Sequence, residues 1–450
     1  MKRYYGFFDM SLLMGFNCNN FDYFKARNIL LEKLDTNKFN NTLRFGYINT
    51  ISLDFYYQNL KIFNKNVLDS TIDMDNLNEV NRLKPNEYPE IILEYQDRNY
   101  TYAEIKMNIT KKRELVEYRE KKKNNNSPFE NVLFIFFDAI SRVQFQRVLP
   151  KTTKFFEQFM KYNPNSKYKS YHFSKFHSID SYTRINLQPM FFGYNMKSGR
   201  GTYIIRHFKQ NGFITGQSMG SCSKETYIFE TDYISNLQFE NYDHENVGMF
   251  CDPNYFDREK PYSINKGEYS LLRRCLYGKE IHDYVLDYGK LFWETYKDNR
   301  KFLRLYFIDP HEASGEVAKY VDTPLYNFLT DLYQKNLFEK TIIFLISDHG
   351  LHMGAIYQAM KTEDYRIEKF LPMLSILIHD YKDNDNNVID NQDILISAYD
   401  IHNTLMYCAF GIFNKFDGGN NIFDYINAKQ RNCSSIGIEN VTTICKCIPK

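Results

Sequence analysis

Residues 347 to 354 read SDHGLHMG and follow the apolar run TIIFLI, so an acid, an imidazole and a glycine stand where a buried strand should end. A carboxylate beside an imidazole can hold a divalent cation, and Gly350 lets the backbone turn tightly with both side chains on one side. Two more apolar runs finish on an acid: NVLFIFFD ends at Asp138 and FLRLYFID at Asp309. Singly, an Asp after a strand also reads as a helix cap or turn residue. In open α/β sheets, however, the ligand crevice lies beyond the carboxyl ends of the strands, so Asp138, Asp309 and Asp348 can converge from distant parts of the chain. Three such acids, one followed by His349, point to a site for zinc, manganese or a similar divalent ion.

The elements that must carry these residues are visible as short continuous apolar runs at 131–138, 302–309, 341–348 and 371–378, separated by segments of helical length and amphipathic pattern. Strands apolar on both faces and alternating with helices predict a mostly parallel sheet covered on both sides, an α/β/α sandwich. Upstream, residues 1–127 mix strand-like pieces such as EIILEY with polar turns and end in the charged stretch KKKNNN, which reads as a solvated linker. The expected organisation is an N-terminal accessory region over 1–127, an α/β domain over 128–416 and a Cys-bearing extension over 417–450.

The 450 residues, 43% of them hydrophobic, are enough for a large core plus an accessory lobe. With 57 Lys+Arg against 55 Asp+Glu, the chain has no basic stripe for nucleic acid. No apolar stretch approaches the length of a membrane-spanning helix, and the first residues lack a clean signal-cleavage site. Eight cysteines, with Cys433, Cys445 and Cys447 crowded near the end, favour disulfides and an oxidising compartment, hence an extracellular or secretory-pathway, membrane-associated location. The CKC spacing is too tight for the usual zinc clip. Sequons at Asn40, Asn99, Asn108, Asn125, Asn432 and Asn440 add little in a chain so rich in Asn.

Taken in order, NVLFIFFDAISR, SYTRINLQPMFFG, TIIFLISDHG and RNCSSIGIENVTTICKC resemble the DUF229 proteins of the alkaline phosphatase and sulfatase superfamily, over roughly residues 128 to 450. That resemblance implies an alkaline phosphatase-like sandwich with a metal-binding Asp138 after the first strand. It implies that Thr183 is nucleophile and metal ligand, that Asn186 meets substrate, that Gly193 closes the same block, and that Asp348 and His349 complete the metal site. Thr183 also reads as a helix N-cap before RINLQPMF. For a second ion, the superfamily's Asp and His beyond a middle strand correspond here to IDPHEASGE, offering Asp309, His311, Glu312 and Glu316. His402, with Asp400 in SAYDIHNTL, is placed as a last ligand and equally as a satisfied polar residue at a helix start. His352 is expected at the rim of the site.

The activity implied is metal-dependent cleavage of phosphate esters, ahead of sulfate esters, with one or two zinc ions, or manganese or calcium, and a small-molecule, glycan-linked or lipid-linked substrate. A coordinated cation lowers the pKa of a threonine hydroxyl and neutralises the charge that builds on the ester. Type I sulfatases need a Cys or Ser in a C/S-x-P-S-R motif for formylglycine. The equivalent stretch here is YTRIN, which cannot form it, and Asp138 is followed by Ala139 where a second Asp is common. A phosphoethanolamine-type transferase and a non-catalytic protein retaining the fold are the alternatives.

Overall fold

A computed structural model describes residues 109–160, 166–193, 201–221, 279–352, 363–381, 386–412 and 419–438, with shorter pieces at 44–47, 91–96, 102–107, 237–238, 242–246, 274–276 and 444–445 and at 250, 255, 269 and 270. Its centre is a seven-stranded sheet: β1 (Asn131–Phe137), β2 (Tyr168–His172), β3 (Ile214–Met219), β4 (His244–Asn246), β5 (Lys301–Phe307), β6 (Thr341–Ser347) and β7 (Leu374–His379), in the order β2-β7-β6-β1-β5-β3-β4. All neighbours pair in parallel except β7, which runs antiparallel to β6 on one side and β2 on the other. The run at 371–378 was expected to be one more strand of the parallel set. It forms a strand, β7, in the opposite direction.

Alternation along the strands divides the apolar residues between two cores, as a period of two requires. Leu133, Ile135, Phe137, Leu303, Leu305, Ile343 and Leu345 face one way, into helices α1 (Arg142–Val148), α2 (Pro150–Glu157), α5 (Ile281–Thr295) and α6 (Asp322–Gln334). Val132, Phe134, Phe136, Phe302, Ile342, Phe344 and Ile346 face the other way, into α3 (Thr183–Phe192), α4 (Ile204–Gln210) and α8 (Ala398–Phe410). The fold is therefore the expected three-layer sandwich. A further helix, α7 (Glu363–Phe370), leads into β7 as a strap. The strand expected near EIILEY is Ile91–Gln96, in a separate three-stranded sheet.

Ile422, Phe423 and Ile426 of the tail pack into the second core. Arg431 pairs with the buried Asp400 carboxylate in the first turn of α8, and Cys433 is disulfide-bonded to Cys445 with a Cα–Cα distance of 5.8 Å. Cys275 is also in a disulfide, and Cys408 is a buried free thiol. Cys18, Cys222, Cys251 and Cys447 lie outside the described residues. Among the described residues, no helix is long and apolar enough to cross a membrane.

Candidate metal centre

Strand register explains why two of the three acids meet. Phe137 is level with Ser347 on one side and with Phe307 on the other, so the chain leaves β1 and β6 at the same edge. Asp138 and Asp348 follow directly, and with His349 they place one donor atom each within 4.8 Å of one another. All three are buried. Ala139 takes a left-handed φ of 61°, and its N–H donates to Asp348 Oδ1 at 3.2 Å. Such a backbone is costly for a residue with a Cβ and is found where surrounding contacts hold it.

Thr183 sits at the mouth of this cluster as the first residue of α3. It is not the N-cap: Tyr182 holds that position in an extended conformation. The Thr183 hydroxyl donates to Asp138 Oδ1 at 3.2 Å and lies 3.0 Å from His349 Nε2. His349 Nδ1 lies 2.8 Å from the carbonyl of Gly350. A carbonyl only accepts, so Nδ1–H donates to it and Nε2 is turned towards Thr183 and the acids. Tyr306 donates to the second oxygen of Asp138, which turns Oδ1 towards Thr183. Asp348 Oδ1 takes the N–H groups of Ala139 and His349, but Asp348 Oδ2, 3.3 Å from His349 Nε2, is buried with no hydrogen-bond partner.

An orphaned carboxylate oxygen in a buried site is costly unless something positive meets it. Two carboxylates, an imidazole lone pair and a hydroxyl form a donor set that suits zinc or manganese, so the residues fit a divalent ion. Burial, and then the neighbouring charge of Asp348, push Asp138 up to about 7, outweighing His349, Tyr306 and Thr183, which favour its ionised form. The Arg304 guanidinium, fully buried against the rings of Phe136, Phe191 and Tyr306, lies within electrostatic reach of both acids.

The other candidates fall in different places. His311 reaches the cluster: its Nε2 is 3.8 Å from Asp138 Oδ1, and its ring packs on Tyr269. His352 stands beside it, with ring centroids 5.2 Å from His311 and 4.5 Å from His349, at the rim where Tyr182 is 61% exposed. Burial holds both His311 and His352 well below the usual histidine range, and the Nδ1 atom of each is buried without a hydrogen bond.

Asp309 does not join. Two residues beyond the end of β5, it hydrogen-bonds His282 Nδ1 at 3.0 Å. The Glu312 carboxylate closes a local turn by accepting from the Ser314 and Val317 N–H groups, and Glu316 precedes a short 3-10 helix and pairs with Lys319. His402 lies at the far end of α3, its Nδ1 3.1 Å from the Met190 carbonyl and its ring where a Cβ on Gly193 would be. Ten residues at about 1.5 Å each put that end roughly 15 Å from Thr183, out of ligand range. Asp400 is the capping-box partner of Ser397. The Asn186 amide engages the backbone of Ile179, Asp180 and Tyr182, so it fixes the loop before Thr183 and has no hydrogen-bonding edge turned towards a substrate.

Sequence reasoning missed Tyr306 and Arg304. A signal was available, because a charge and a phenol interrupt the alternation of an otherwise apolar run, KFLRLYF.

A mostly parallel α/β sandwich with a cluster of metal-ligand type at its strand ends defines the class. The chain belongs to the DUF229 family, described as a protein of unknown function, whose match covers residues 39–218 and 259–450 and so begins well upstream of residue 128. No curated protein matches it. Among solved structures, it is similar to the lipoteichoic acid synthase LtaP from Listeria monocytogenes, at 12% identity and a TM-score of 0.44, covering 70% of this chain and 82% of that one. The C-terminal periplasmic domain of EcEptC from Escherichia coli is similar at 12% identity and a TM-score of 0.45, with 69% and 93% covered. A protein in the alkaline phosphatase superfamily from Vibrio parahaemolyticus is similar at 13% identity and a TM-score of 0.42, with 68% and 77% covered.

Proposed function

We propose that this protein is a metal-dependent hydrolase of phosphate esters, with Thr183 as nucleophile and Asp138, Asp348, His349 and Thr183 itself as ligands of one divalent ion, zinc before manganese or calcium. The observation that carries this reading is the Thr183 hydroxyl poised between Asp138 Oδ1 and His349 Nε2, 3.2 and 3.0 Å away, beside an orphaned Asp348 oxygen. When bound, the ion would lower the pKa of the hydroxyl and offset charge on the ester. Asp138 orients the hydroxyl, and Tyr306 orients Asp138. Thr183 Oγ attacks phosphorus as its proton passes to Asp138 Oδ1, the bond from phosphorus to the leaving oxygen breaks with that oxygen taking a proton from solvent, and water then cleaves the phosphorus–Oγ bond, restoring the hydroxyl and releasing phosphate. Thr183 opens α3, and the N-terminal end of a helix dipole favours an anion there. His311 and His352 line the approach and are neutral, so their ring nitrogens can meet ester oxygens as donors in the tautomer the substrate selects.

Phosphate is favoured over sulfate because YTRIN cannot supply formylglycine. The substrate class is an ester of a small molecule, a glycan or a lipid-linked group. A transferase would use the same residues with an alcohol in place of water.

The test is a screen of purified protein against aryl phosphate, aryl phosphodiester and aryl sulfate, each with zinc, manganese or calcium, with and without an added alcohol acceptor. Metal-dependent release from the phosphate substrates, lost in Thr183→Ala, is expected. A folded, metal-loaded Thr183→Ala protein with wild-type turnover would rule out Thr183.

A further inference from the structure

Residues Glu368 to Met373, the last turn of α7 and the chain entering β7, touch the three loops that carry Asp138, Thr183 and the Asp348-His349 pair. The Glu368 carboxylate accepts from Ser141 Oγ and pairs with Arg147 at 2.8 Å, while the Leu371 carbonyl accepts from Arg142 N at 3.0 Å. Those contacts hold the segment after Asp138. The Lys369 carbonyl accepts from Gly350 N at 2.8 Å, and Gly350 passes so close to the Glu368 carbonyl that any Cβ there would collide with it. That holds the Asp348-His349 turn. The Phe370 carbonyl accepts from Ser178 N at 3.0 Å and from Ser178 Oγ at 3.3 Å, which holds the loop leading to Thr183.

The Phe370 ring points the other way. It packs with Leu395, Cys433, Ile436, Ile438, Ile444 and Cys445 in a small apolar cluster separate from both sheet cores, and stacks on His177. Apart from Leu395, its partners in that cluster belong to the disulfide-closed tail. A cluster so small holds few apolar contacts of its own, and the Cys433–Cys445 bridge restricts the open states of the segment that builds it.

We propose that the disulfide-closed tail fixes this strap through Phe370 and thereby sets the geometry of the Asp138, Thr183 and His349 loops. Phe370 is a positioning residue, acting through its own backbone and that of Lys369. Ligand sets tolerate displacements of only about 0.5 Å, so a strap shared by three loops keeps them in register. The contacts carry the mechanical part. Its effect on cation binding rests on the metal-site reading.

Hydrogen–deuterium exchange on the full chain separates the two. In Phe370→Leu, and in the double variant Cys433→Ser/Cys445→Ser, segments containing Arg142, Ser178 and Gly350 should exchange roughly 10-fold or more faster than in wild type, with β1 and β6 unchanged. Unchanged exchange in those segments of the folded variants would overturn the proposal, as would equal acceleration in the strands, which marks general destabilisation. Should the cysteine variant fail to fold, Phe370→Leu alone decides. Zinc titration of the same proteins is the second arm: weakening by about 10-fold or more in the variants is expected, as for residues that support ligands. Unchanged zinc affinity in variants with loosened loops would overturn the link to the site. A wild type that binds no zinc would sink the metal reading and that link together, leaving exchange to decide the strap.

Discussion

The hydroxyl of Thr183 has two acceptors within reach, and removing it is a local change at the first position of α3. Thr183→Ala should therefore leave the fold within about 1 kcal/mol of wild type and abolish turnover, whereas Thr183→Ser should keep a measurable rate. Asp348→Asn is expected to weaken cation binding and activity together, because it removes the charge on the orphaned oxygen. Denaturation curves and metal titration of the purified variants check both. The protonation of Asp138 gives a pH signature. Because burial and Asp348 raise it to about 7, a cation must displace a proton below that value, so zinc affinity should fall as pH drops through about 7. In the metal-free protein the sign reverses. The stabilising contribution is fully present below the ordinary carboxyl value near 4 and is lost as pH rises through about 7, a trend Asp138→Asn should remove.

At the scale of elements, two buried pairs pin helix starts. Arg431→Ala would leave the Asp400 carboxylate fully buried in the first turn of α8 with its charge partner gone, a loss of about 3–5 kcal/mol by chemical denaturation. A loss under about 1 kcal/mol would show that the tail does not depend on this pair. In α5, burial opposes the charging of His282, yet Asp309, Glu280 and Asp283 together raise it above its ordinary value. Its contribution is complete below about 6.5 and disappears as pH rises through the raised value, so His282→Gln should flatten the decline of stability as pH rises above about 6.5. The strands that bring Asp138 and Asp348 together were legible because they are apolar on both faces. ITGQSM, YKSYH and HEN were not, because polar residues break the pattern in β3, β2 and β4. The direction of β7 is set by its partners, which no local pattern encodes. Asp309 was misplaced for a similar reason: spacing put it at a strand end, and the partner that captured it, His282, comes from another element. His402 looked correct on the order of motifs and fails because α3 lies between it and the acids.

For the whole molecule, the Cys433–Cys445 bridge supports an oxidising, secretory-type compartment as our proposal for where the chain works. The proposed chemistry uses the three-layer sandwich to bury the acids and leave Thr183 part-exposed beside them. The proposed function gives a role to both the hydroxyl held between Asp138 and His349 and the orphaned carboxylate oxygen in one buried site. The most direct test of that claim is the metal content of purified wild type beside Asp348→Asn and His349→Ala, after loading with zinc and removal of excess by dialysis. Retention of one ion per wild-type chain, with its loss in both variants, is the expected result. A folded wild type that retains none, or variants that retain as much as wild type, would contradict the account.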